Sequence, residues 1–151
     1  MALVVGGLSW LSVRAGGRLH APDLSLLGEV PPAVVVHLGG ALTALSIGVV
    51  LLLGVKGNRV HRTLGWTWVI AMAVTAVSSL FIRQINGGAF SFIHLLSGWT
   101  IIVLPMAVFA ARRHQVARHS REMTGLFVGG LLLAGALSFL PGRLLWEMFL
   151  G

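Results

Sequence analysis

The sequence predicts an all-α, multi-pass membrane protein: a transmembrane four-helix bundle of two repeated helical hairpins, with a short apolar helix before it and an interfacial helix after it. Three observations predict this. The 151 residues are 56% hydrophobic and only 10% charged, with mean hydropathy +0.92, whereas a soluble domain carries about 25% charged residues. Four apolar stretches, residues 33–54, 64–83, 90–111 and 123–140, are each long enough to cross about 30 Å of hydrocarbon. Finally, a pattern returns. Residues 34–64, VVVHLGGALTALSIGVVLLLGVKGNRVHRTL, and residues 91–123, SFIHLLSGWTIIVLPMAVFAARRHQVARHSREM, each place one histidine early in an apolar run and another in the basic cluster that follows it; His37 to His61 is 24 positions and His94 to His119 is 25.

Composition excludes several function classes. There is no cysteine, hence no disulfide, thiolate metal site or iron–sulfur cluster. Histidine is the neutral metal ligand that remains. The net charge of +7 does not point to nucleic acid, because the basic residues fall in short connections between apolar stretches. That is the positive-inside signature of membrane topology. The same loops are suited to anionic lipid headgroups.

Taken in order, residues 1–13, MALVVGGLSWLSV, give a helix of roughly 20 Å, short of the hydrocarbon thickness. They lack the basic start and cleavage site of a signal peptide. A short or tilted first span with Arg14 and Arg18 snorkelling, or a helix lying in the interface, are both open. Residues 14–32 form an outer connection broken by Gly16, Gly17, Pro22, Pro31 and Pro32. Lys56, Arg59 and Arg62 follow the first span; Arg112, Arg113, Arg118 and Arg121 follow the third. This bias puts loops 55–63 and 112–122 in the cytoplasm. The turn at 84–89 has no charge, with Arg83 at its edge, and faces outside with the C-terminus. Pro141 and Gly142 end the fourth span. Residues 143–151, RLLWEMFLG, read as a short interfacial helix with Trp146 at headgroup level. The chain is thus one integral membrane domain over residues 1–151.

A tandem repeat of two-span hairpins keeps one orientation in both copies, so equivalent helices lie diagonally about an axis along the membrane normal. His37 then pairs with His94 near the outer face, and His61 with His119 at the cytoplasmic edge. One imidazole from each of two opposed helices is the axial ligand set of a low-spin haem, and two pairs at two depths would give an electron path across the membrane. Gly39, Gly40, Ala41, Ala44 and Gly48 are small enough to leave room for a macrocycle, and Arg62 and Arg118 stand beside the inner pair, where propionates would need them. Bland roles stay open for every one of these residues. An intramembrane imidazole also serves as a hydrogen bond between helices, and a histidine in a basic loop edge is an ordinary solvated group. His20 and His114 read as surface residues. The two levels are separated by about 25–30 Å along the helices, a long gap for electron transfer. Other chemistries are poorly supplied: a zinc hydrolase needs three ligands and a carboxylate base, no H-E-x-x-H occurs, and Glu122 is the sole carboxylate in the spans and cytoplasmic loops.

His37 with Gly40, the run His61-Arg62-x-Leu64-Gly65-Trp66, the run His119-x-Arg121-x-Met123, and Leu140-Pro141-Gly142-Arg143 resemble the domain-of-unknown-function 2306 family of bacterial membrane proteins over about residues 31–145. The resemblance implies a multi-spanning fold in a bacterial inner membrane and carries no activity. The histidine placement is also similar to the cytochrome b561 family, whose four core helices each give one histidine to two haems. By that resemblance His37 with His94 and His61 with His119 are the ligand pairs. The leading expectation is a haem b protein passing electrons across or within the membrane. The alternative is a cofactor-free accessory subunit of a respiratory or photosynthetic complex, suggested by the near absence of extramembrane mass and by glycines 125, 129, 130 and 135, which offer a small-residue face to a neighbour. A transporter of a small or lipidic solute is a third reading, and needs a polar cavity that the apolar spans do not announce.

Overall fold

A computed structural model describes residues 21–82, 92–140 and 143–150. The expected helix at 1–13, Arg14, Arg18, His20, Arg83, the 84–89 turn, Pro141 and Gly142 lie outside these. The described residues are helical, without a strand among them. In chain order they form α1 (Leu26–Glu29), α2 (Pro32–Leu53), α3 (Arg59–Ser79), α4 (Phe92–Arg112), α5 (Val116–Gly125), a π-helical segment (Leu126–Leu133), α6 (Ala134–Leu137) and α7 (Leu144–Phe149). The chain divides into two compact units, Val30–Ala134 and the terminal segments Met1–Glu29 with Gly135–Gly151.

In the larger unit each helix begins and ends for a local reason. Pro32 opens α2, where its missing N–H costs nothing. At the other end the ammonium of Lys56 donates to the carbonyls of Leu51, Leu52 and Gly54 at 2.8, 2.6 and 2.9 Å, satisfying carbonyls that the helix leaves without partners. Asn58 caps α3 by accepting the His61 N–H at 2.7 Å. The helix therefore starts five residues before the apolar stretch and takes Arg59, His61 and Arg62 into its first turn.

The end of α4 is a left-handed cap, closed by the Gln115 N–H on the Ala110 carbonyl at 2.9 Å. His114 occupies the left-handed position, with φ 57°, a conformation that costs an ordinary L-residue about 1–2 kcal/mol and glycine nothing. His114→Gly is expected to raise stability by up to about 1 kcal/mol, read as a higher thermal midpoint in mild detergent.

The stretch expected as the fourth span begins earlier than the apolar pattern suggests. The helical path is continuous from Val116 through Leu137, and its middle, LFVGGLLL, shifts to π spacing. Such wide turns occur inside α-helices as π-bulges. Here a Cβ on Gly130 would stand 3.2 Å from the Met72 methyl, and one on Gly129 3.4 Å from the Trp99 ring.

Among the described residues two helices, Pro32–Leu53 and Ile93–Arg112, are long and apolar enough to cross a membrane. The polar first turn of α3 and its hydroxyl residues lower its hydropathy. Thr63, Thr67 and Thr75 turn their hydroxyls back onto the carbonyls of Arg59, Thr63 and Ala71, the way such side chains are satisfied where water is absent.

Within this unit α2 packs on α3, α3 on α4, and α4 on α5; the π segment packs on both α4 and α2. The core holds Ala44, Trp68, Met72, Leu104, Leu126, Phe127 and Leu131. Outside it, apolar side chains cover the surface: Val36, Leu42, Val50, Ile70, Leu95, Ile102 and Phe109 are all exposed. Of the 22 residues of α2 only Ala44 and Gly48 are buried. An apolar surface on this scale suits a lipid solvent and not water.

In the smaller unit the Asp23 carboxylate accepts from both the N–H and the hydroxyl of Ser25, and the Asp23 N–H reaches the Met148 carbonyl at 3.1 Å. Phe139 and Phe149 meet at 6.0 Å between ring centres. α7 lies where the sequence predicts the C-terminal helix.

Candidate functional site

The buried polar side chains of the larger unit gather in the second half of α3 and the first half of α4: Thr75, Ser78 and Ser79 on one, His94, Ser97 and Thr100 on the other. The hydroxyls of Ser79 and Ser97 meet across the two helices. α2 contributes His37, half-buried, whose Nδ1 lies 2.8 Å from the Thr75 carbonyl. The Ser78 hydroxyl donates to the same carbonyl at 3.1 Å. A carbonyl only accepts, so His37 Nδ1 carries the proton. In the neutral ring Nε2 is then left with its lone pair. His94 is buried one turn before Ser97. One layer of polar groups thus runs from His37 through α3 to the turn of α4 that bears His94.

The second pair sits where the helices carry their arginines. His119 on α5 directs Nδ1 to the Ala107 carbonyl of α4 at 2.9 Å. The same logic fixes its proton on Nδ1 and leaves Nε2 as the acceptor. His61, in the first turn of α3, is close enough to His119 for a proton on that ring to oppose one on its own. Partial burial, then His119, then Lys56 push the His61 pKa below the usual 6.5, so the ring is neutral at neutral pH. The unfolded chain takes up its proton first as the pH falls. The contribution of His61 to stability is therefore fully present above pH 6.5 and is lost as the pH falls from there through the lowered folded value. Thermal midpoints measured across that window are expected to decline toward acid, and His61→Gln is expected to flatten part of the decline.

The structure thus brings His61 near His119, and links the turns holding His37 and His94 through hydroxyl groups of α3 and α4. Of the two arginines expected beside the inner pair, Arg118 is engaged by Glu122, Nε to Oε1 at 2.8 Å, and Arg62 is exposed. The small-residue face of α2 has a different use from the one the sequence suggests. A Cβ on Gly40 would stand 2.6 Å from Thr75 Oγ1, and one on Gly48 would stand 2.5 Å from the Phe127 ring and 2.9 Å from Trp68 Nε1. Ala44 is fully buried. These residues let α3 and the π segment approach the α2 backbone; they do not hold open a slot. Gly39 faces open space.

Two cavities open at the arginine-bearing end. One, of about 290 Å³, is lined by Trp66, Val69, Leu104, Pro105 and Arg112 among others. The other, of about 210 Å³, is lined by Ala110, Arg113, Gln115 and Arg118 among others. Neither is lined by a histidine.

Sequence reasoning passed over Thr75, Ser78, Ser79 and Ser97. The signal available was their spacing: hydroxyl residues at i, i+3 and i+4 on α3, and one three positions after His94. Nothing in a side-chain sequence marks the Ala107 carbonyl. No curated protein and no solved structure matches the chain. A family model described as "Predicted membrane protein (DUF2306)" matches residues 34–145, and with the apolar exterior and two membrane-length helices it establishes that the chain belongs to the DUF2306 family of predicted membrane proteins.

Proposed function

We propose that this protein is a multi-pass haem b protein of a bacterial inner membrane, passing electrons across or within the bilayer. His37 with His94 and His61 with His119 are the axial pairs. The observation that carries the reading is the fixed tautomer of two of these rings. His37 and His119 each commit Nδ1–H to a main-chain carbonyl, the outer-shell bond that orients a metal-binding imidazole and raises its basicity. The donor chemistry therefore fits haem iron. The α2–α3 seam, filled by Thr75, Trp68 and Phe127, is not where a macrocycle would lie.

In this reading the apolar stretches 33–54, 64–83, 90–111 and 123–140 are four spans of a bundle built from two repeated hairpins. α2 and α4 both pack on α3 and on the π segment, which suits ligands given from opposed rather than adjacent helices. The arginine-bearing loops then face the cytoplasm. Bound haem would supply a one-electron iron couple whose potential follows from two imidazole ligands and burial. The chain's own part is to hold His37 and His119 at one tautomer, to keep His61 neutral, and to exclude water with the apolar packing around Trp68 and Phe127. Arg62, exposed and one residue from His61, is free to meet a propionate, while Arg118 shares its charge with Glu122.

Absorption spectra of the purified protein, oxidised and then reduced with dithionite, test this. A sharp b-type α-band is expected after expression with ample haem, with the pyridine haemochrome assay counting haems per chain. A colourless preparation overturns the reading. Colourless protein held in mild detergent by another membrane protein would favour the accessory-subunit alternative, although two of the four glycines that suggest it, Gly129 and Gly130, face Trp99 and Met72 inside the unit.

A further inference from the structure

The arginine-bearing end of α3 and α4 contains a groove that the histidine chemistry does not use. Trp66 and Val69 of α3 form one wall; Leu104, Pro105 and Val108 of α4 form the other, with Arg112 at the mouth. Its volume of about 290 Å³ falls just under the range of about 300–1,000 Å³ that encloses a whole small molecule. The apolar walls fit a segment of hydrocarbon chain. Pro105 shapes the α4 side, where a proline inside a helix removes a main-chain hydrogen bond and displaces the preceding turn.

The mouth is charged on one side only. The Arg112 guanidinium lies 5.8 Å above the centre of the Trp66 ring, a stacked arrangement that steadies the cation. No carboxylate lines the groove. Beyond Phe109, which borders both cavities, Arg113 and Arg118 line the second one. Trp66 and Phe109 are both well exposed, as residues at the edge of a lipid-facing surface are.

We propose that this groove is a binding site for an anionic phospholipid: one acyl chain lies along Trp66, Val69, Leu104 and Pro105, and the headgroup phosphate sits on Arg112. Charge complementarity selects this occupant over a zwitterionic lipid, whose ammonium would meet Arg112 in the groove and Arg113 in the adjoining cavity, Arg118 being paired with Glu122. The site does not depend on haem, so its test stands whether or not the protein is coloured.

The test uses tryptophan quenching in phosphatidylcholine vesicles that contain a minor fraction of lipid brominated on its acyl chains, either phosphatidylglycerol or phosphatidylcholine. Subtracting the signal of W66F isolates Trp66. Quenching of Trp66 is expected to favour brominated phosphatidylglycerol by about fivefold, the weight of one arginine close to a membrane surface. R112Q is expected to abolish the preference, while R112K keeps most of it, and R59Q, at the same end but outside the groove, leaves it intact. In the unaltered protein the preference is expected to shrink as salt is raised, a measurement that needs no variant to fold. Equal quenching by the two lipids overturns the proposal, and so does a loss in R59Q as large as in R112Q, which would assign the preference to general surface charge.

Discussion

Gly48→Leu is expected to prevent α2 from assembling onto α3, and Gly48→Ala to lower stability by about 1–3 kcal/mol. Alanine is intrinsically the better helix former by about 1 kcal/mol, so the sign of the effect rests on space alone. A Cβ at this position would stand 2.5 Å from two atoms of the Phe127 ring and 2.9 Å from Trp68 Nε1. Both rings are themselves buried, Trp68 at 3% and Phe127 at 5% exposure, and they pack with Met72, Leu104 and Leu126. Neither is a flexible chain end that can swing aside. In a bilayer helices gain little from leaving lipid for protein, and association depends on close packing and hydrogen bonds. Separating α2 from its neighbours therefore removes most of what holds it.

The neighbouring glycines supply the controls. Gly39→Ala meets nothing within 4 Å and is expected to be neutral or to stabilise by up to about 1 kcal/mol. Gly40→Ala would place a Cβ 2.6 Å from Thr75 Oγ1 and 3.3 Å from the Ala71 carbonyl. That hydroxyl is bonded to the same carbonyl, so an intermediate loss is expected. Thermal midpoints of the purified variants in one mild detergent rank the three; equal midpoints for Gly39→Ala and Gly48→Ala would refute the packing argument.

The contrast between Gly39 and Gly40 shows where legibility in the sequence stops. Helical character and membrane-length apolar runs were readable because they are sums over about 20 residues. The basic clusters stand out because charge is excluded from the hydrocarbon, but residues 59–63 and 116–122 of the expected loops belong to α3 and α5. Which glycine of an adjacent pair faces a neighbour depends on helix rotation. The apolar pattern of α2 runs nearly all the way round the helix and does not encode it. The same uniformity hid the π segment, where Gly129 and Gly130 allow a change of spacing that the crowding of Met72 and Trp99 accompanies. α3 and α5 begin five and seven residues before the apolar stretches that start at 64 and 123, because capping and polar turns extend a helix beyond its apolar part. The positions of the imidazoles are given by the sequence, and the hydrogen-bond partners of their Nδ1 atoms are not. The partners that fix Nδ1 are main-chain carbonyls of Thr75 and Ala107, and every residue in a chain has one.

Pairwise loss of haem is the second large effect, and it tests the assignment of ligands more sharply than the presence of colour does. If His37 and His94 hold one haem and His61 and His119 another, His37→Ala and His94→Ala will each remove the same half of the b-type absorbance. The double variant His37→Ala/His94→Ala will lose no more than either single one, since residues acting as one unit are not additive. His37→Ala/His61→Ala, which touches both pairs, will leave a colourless protein. His114→Ala is the matched negative control: His114 belongs to the exposed corner between α4 and α5, outside both pairs. Structural failure is separable from ligand loss by substituting glutamine, whose side-chain amide can still donate to the Thr75 carbonyl without binding iron. Haem loss in His37→Gln with an unchanged helical spectrum and elution volume assigns the ring to the metal. Full haem retention in both His37→Gln and His94→Gln would instead make the bond to Thr75 the whole role of His37, an interhelical hydrogen bond in a membrane bundle.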